Sequence, residues 1–111
     1  MIKTFGPNNL TPSKLCFGTM QFGDGASAKD SEEMYLKCRE NEVNFFDTAY
    51  VYTKGLSEKI LGKLIKEERE KLLIVTKAGS QGGADSENLR NQLEESLKRL
   101  DQDYVDIFFI H

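Results

Sequence analysis

The chain has 111 residues, 39% hydrophobic and 30% charged, with a formal net charge of −3. That length suits one domain with a real core, the composition suits a soluble globular class, and no apolar run approaches the ~20 residues that span a bilayer. The mild acidic balance argues against non-specific nucleic-acid binding, and MIKTFGPNNL lacks the apolar stretch of a signal peptide, so the expected location is cytoplasmic, away from membranes.

The turn-rich GPNNLTP (6–12) lies between residues 2–5 and 14–18. This reads as a short N-terminal hairpin or as an entry loop into a first strand, KLCFGT (14–19). After the loop MQFGDGASA, a first helix is expected from about Asp30 to Asn41, capped by Asp30 or Ser27. Met34 and Cys38 fall at i and i+4, with Tyr35 beside them. A second strand is VNFFDT (43–48).

The second helix starts at Ser57, with Glu58 in the first turn, where the helix dipole favours an acid. Ile60, Leu61, Leu64 and Ile65 form its apolar stripe. Gly62 costs about 1 kcal/mol against alanine there and marks a candidate close contact. KLLIVTKA (71–78) is the third strand. The loop GSQGGAD leads to a third helix capped by Asp85 or Ser86, with Leu89, Leu93, Leu97 and Leu100 inward. YVDIFFI (104–110) is the fourth strand. Alternating strands and helices, with nearly continuous apolar strands, indicate a parallel α/β sheet. Both an open doubly wound sheet and half of a (β/α)8 barrel fit.

Three strands end on ionisable groups: Asp47, Lys77 and His111. The carboxyl ends of parallel strands share one crevice or one barrel mouth. By alternation, Asp47 shares a face with Phe45 and Val43, Lys77 with Val75 and Leu73, and His111 with Phe109, Ile107 and Val105. Tyr52, on the loop after Asp47, is placed to fold over the same mouth. Taken singly, such residues are commonly turn formers, solvated charges or wet core tips. Their joint placement points to chemistry. Cys16 and Cys38 lie outside any CxxC and read as two reduced, buried thiols. His111 is the only histidine, and no spacing supports a metal site.

FFDTAYVYTKGLSE (45–58), IVTK (74–77), SLKRLDQDYVDIFFIH (96–111) and GTM (18–20) together resemble the aldo-keto reductases. One departure is Thr53, where that family usually has glycine. The resemblance implies the N-terminal half of a (β/α)8 TIM barrel: four parallel strands and three helices after a short hairpin. Residues 1–111 would be a partial domain ending at the fourth strand. It implies NADP(H)-dependent reduction of a small aldehyde or ketone, with NAD(H) left open. The implied catalytic tetrad is Asp47, Tyr52, Lys77 and His111. Gly18, Thr19, Met20 and Asp47 would lie at the cofactor. The expectation is that the 111-residue chain alone is incomplete and inactive, and that its fourth strand, an uncovered apolar edge, promotes self-association. Two rival readings remain. GDGASA (23–28) spells G-x-G-x-x-A and allows a Rossmann-like dinucleotide module. A non-catalytic fragment or pseudoenzyme acting through interaction is the other.

Overall fold

The computed structural model describes residues 3–111. Its strands are β1 (Phe17–Gly18), β2 (Phe45–Asp47), β3 (Leu73–Ala78) and β4 (Ile107–Ile110), and its helices are α1 (Ala28–Glu40), α2 (Leu56–Ile65) and α3 (Ser86–Leu100). Two 3-10 segments, Tyr52–Gly55 and Lys66–Lys71, flank α2. Local chemistry sets the helix starts. Ser27 Oγ accepts the Asp30 amide at 3.1 Å, and Asp85 accepts the Asn88 amide at 3.3 Å. Each satisfies an amide that the first turn leaves unpaired.

All strands run parallel in the order β1-β2-β3-β4. This order decides between the two architectures. Right-handed crossovers that always step to the next neighbour keep every helix on one face. A doubly wound sheet reverses direction at a switch point, and no reversal occurs among the described residues. The helix-side core joins Phe22, Tyr35, Phe46, Leu61, Ile65, Leu72, Ile74 and Leu100. The opposite face of β2 and β3 carries Phe45, Asp47, Leu73, Val75 and Lys77, as alternation requires.

Several expectations need correction. The strands are shorter than the apolar runs at their amino ends. Val43 and Val105 precede β2 and β4 and pack with the helix-side cluster, so they leave the Asp47 and His111 faces. The short N-terminal hairpin is present, closed by an antiparallel Phe5–Leu10 bridge; residue 2 lies outside the described residues. Thr11 and Ser13 then bond to Asn44 at the foot of β2. On α3 the most buried side chains are Gln92, Ser96 and Leu100, with Leu89, Leu93 and Leu97 half-buried. Gln92 is drawn in by its loop, donating to Gln81 O at 2.8 Å and accepting from the Gly79 amide at 3.0 Å. Cys16 is exposed and Cys38 half-buried, and neither is in a disulfide.

Gly62 is a close contact, as expected. A methyl group there would collide with the backbone carbonyl of Leu100, so glycine lets α2 and α3 approach. GDGASA is a folded-back turn: the Asp24 and Ala26 amides both donate to Gln21 O, and the preceding Phe22 is 1% exposed in the core. Its glycines serve that turn, and no strand leads directly into them.

Candidate active site

Register brings the site together. Gly18 pairs with Asp47, Asp47 with Val75, and Lys77 with Phe109. Lys77 therefore lies two residues beyond the partner of Asp47, and its long stem bends back. Its Nζ donates to both Asp47 carboxylate oxygens at 2.8 and 2.7 Å and to Thr48 O at 2.7 Å. The Lys77 side chain is 13% exposed and that of Asp47 29%. A largely desolvated ammonium with three acceptors is held far more firmly than a surface pair.

Tyr52 folds over this pair. Lys77 Nζ lies 4.8 Å from its ring centroid, within cation–π range. The His111 ring meets the Tyr52 ring edge-on, with centroids 5.8 Å apart and planes at 87°. His111 is anchored through its backbone amide, which donates to Ala78 O at 2.7 Å. The four side chains thus form one continuous cluster at the carboxyl ends of β2, β3 and β4.

The candidate cofactor residues differ among themselves. Gly18 opens onto free space, since a Cβ there would meet nothing within 4 Å. Met20 is 54% exposed. Thr19 is fully buried, and its hydroxyl donates to Asp47 O at 2.9 Å. Ser57 Oγ donates to Thr19 O at 2.7 Å and lies 2.8 Å from Thr48 Oγ1. If Thr48 donates to Ser57, one arrangement of protons satisfies all three hydroxyls. Thr19 is thereby a strut beneath Asp47 and Thr48.

A second support stands behind the cluster. Glu58 is fully buried, accepting from Thr76 Oγ1 at 2.7 Å and from Arg99 Nη1 at 3.0 Å. The same Nη1 donates to Tyr50 O at 2.7 Å, and the guanidinium stacks 4.3 Å from the Tyr50 ring centroid. In the sequence Glu58 shows only as a first-turn acid at a helix dipole, with nothing local to announce this bond. Thr76 was the available signal, a polar residue on the helix-facing side of an apolar strand.

Thr53, the departure from the family pattern, has a structural role of its own. Its backbone sits at φ 48°, ψ 39°, left-handed as a glycine would be, and its hydroxyl accepts the Ser57 amide at 2.8 Å. Cys16, on the uncovered side of β1, feels the site: burial and the Asp47 charge push its thiol pKa up, with Lys77 opposing. Among the described residues, no group of three or more His, Cys, Asp or Glu side chains could hold a metal ion. No helix there is long and apolar enough to cross a membrane.

The aldo/keto reductase family model matches residues 14–111. The chain belongs to that family. This aldo/keto reductase chain is 39% identical to a probable voltage-gated potassium channel subunit beta of Arabidopsis thaliana, over 98% of its own length and 36% of the relative's. It is 32% identical to the uncharacterized oxidoreductase YrpG of Bacillus subtilis, covering 96% of itself and 38% of that protein. Among solved structures, the holo form of the aldo-keto reductase AKR11C1 of Bacillus halodurans superposes with a TM-score of 0.84 at 29% identity. All of this chain and 40% of that one are covered. The fold is accordingly the N-terminal part of an aldo-keto reductase (β/α)8 barrel. The chain spans well under half the length of these relatives.

Proposed function

We propose that this chain carries the proton-transfer machinery of a nicotinamide-dependent carbonyl reductase acting on a small aldehyde or ketone. The observation that carries the reading is the bidentate Asp47–Lys77 pair lying beneath the Tyr52 ring. A bound NADP(H) or NAD(H) would supply the hydride. Gly18 and Met20 offer an open wall for its nicotinamide end, and Asp47 and Lys77 form the floor beside them. No lysine or arginine occurs in the loop 79–84, so this mouth offers the phosphates no charge from that side. NADP(H) rests on the family's habit.

The residues divide the work by their chemistry. A phenol keeps its proton at neutral pH and can give it to a carbonyl oxygen that is becoming an alkoxide. Tyr52 is that donor. A nearby ammonium stabilises the phenolate left behind, and Lys77 supplies it. Asp47 and Thr48 O fix the ammonium. His111, at the edge of the Tyr52 ring, orients the carbonyl oxygen.

The test is Tyr52→Phe in the full-length protein. Carbonyl reduction should fall by roughly 100-fold or more, while nucleotide affinity measured by fluorescence titration stays unchanged. Normal turnover would remove Tyr52 from the donor role.

A second reading, assembly with a protein partner, draws on the similarity to potassium channel subunits and on exposed apolar groups at the β4 end, Phe109 and Ile110. The partner that the uncovered strand suits is another copy of the chain. Sedimentation of residues 1–111 at rising concentration should show association. A monomer throughout would exclude self-pairing through this edge.

A further inference from the structure

Thr53 stands where the backbone calls for glycine. Thr53 and Lys54 are both left-handed, with φ 48° and 56°, followed by Gly55 at φ 96°. A β-branched residue is a genuine outlier in that region, and such outliers persist only where their surroundings over-determine them.

Here the hydroxyl does so. Thr53 Oγ1 lies 2.7 Å from Phe22 O and 2.8 Å from Tyr52 O, either of which can take its proton, and it accepts the Ser57 amide at 2.8 Å. The α2 N-cap, Gly55, has no side chain to offer the first-turn amides, so Thr53 satisfies one in its place. Phe22 belongs to the β1–α1 loop, which starts at Thr19 and Met20. That loop closes tightly on the turn: a Cβ at Gly23 would lie 2.7 Å from Leu56 Cβ and 3.4 Å from Thr53 Oγ1. With its proton on Phe22 O, this hydroxyl ties the β1–α1 loop to the start of α2 directly beside the peptide that follows Tyr52.

We propose that Thr53 is a positioning residue for Tyr52, its hydroxyl clasping the tyrosine's turn to the β1–α1 loop so that the phenol stays over Lys77. The inference rests on the carbonyl-reductase reading. It separates two roles that one position holds. Glycine would adopt the same left-handed turn without strain but would lack the hydroxyl. Serine would keep the hydroxyl. If the backbone shape alone mattered, glycine would serve at least as well as threonine.

The experiment compares Thr53→Gly, Thr53→Ser and Thr53→Ala in the full-length protein. Two readouts are taken: kcat against KM for carbonyl reduction, and hydrogen exchange of the Ser57 amide. Thr53→Gly should fold, because it removes a strained residue. We expect its kcat to drop by about tenfold to 100-fold, the scale of a small misplacement of a reacting group, with nucleotide affinity unchanged. Its Ser57 amide should exchange faster. Thr53→Ala should behave alike, and Thr53→Ser should restore both readouts. Wild-type kcat with a protected Ser57 amide in Thr53→Gly would overturn the proposal. So would a lost amide bond with kcat unaltered, since the clasp would then not position Tyr52. Absence of turnover in the unsubstituted protein counts against the reductase reading alone. In that case a protected Ser57 amide in Thr53→Gly still overturns the clasp.

Discussion

Asp47, Tyr52, Lys77 and His111 became visible in the sequence because each ends or follows an apolar run whose direction is readable. Strand ends in a parallel sheet point one way, so runs that stop on charge imply convergence. What could not be read was the support beneath them. Thr19, Thr48 and Ser57 look like ordinary turn and cap formers, yet their hydroxyls close a buried network under Asp47. Glu58 and Arg99 are 41 positions apart and meet only because α2 and α3 pack against each other. Short polar side chains declare a local preference in sequence, and their long-range partners appear only once the chain is folded. Thr53 is the clearest case. As a residue type it argues against a left-handed turn, and three neighbouring groups override that preference.

At the scale of elements, the order of the four strands and three α-helices was legible, while the two 3-10 segments and the strand starts were not. Apolar residues continue past the ladder at Val43 and Val105 because the loops entering β2 and β4 also fill the helix-side core. Polar latches, invisible to apolar periodicity, fix how the elements meet. Arg39 donates to Glu68 at 3.0 and 2.9 Å, and Tyr35 donates to the same carboxylate, tying α1 to the 66–71 segment. Hydrogen bonds from Arg39, reinforced by Tyr35, hold the Glu68 carboxyl below the usual carboxylate range, against the opposing effect of burial. A carboxyl depressed on folding stabilises the folded state above its unfolded value, about 4.3. That contribution is lost as the pH falls through the lower folded value. Urea melts should therefore find Glu68→Gln less stable than the unsubstituted chain at pH 7, with the gap closing as the pH falls below about 4. A gap independent of pH would show that the latch owes nothing to the charge.

Over the whole molecule, the four strands form an open arc of the family's barrel, in the order β1-β2-β3-β4. Among the described residues, β1 and β4 each have one neighbour, and none of α1, α2 and α3 contributes Asp47, Tyr52, Lys77 or His111. In the Bacillus halodurans structure the matching part is 40% of the chain, so a closed barrel of that kind has further strands beside this arc. We propose that the reaction chemistry nonetheless gathers within residues 47–111. A double-mutant cycle tests it most directly. Carbonyl reduction is measured for the full-length protein with Asp47→Asn, Lys77→Met and both together. If the pair acts as one unit holding one ammonium beneath Tyr52, the double variant will be no slower than the slower single variant. Losses that add in full would mean that Asp47 and Lys77 work independently, and would contradict the account.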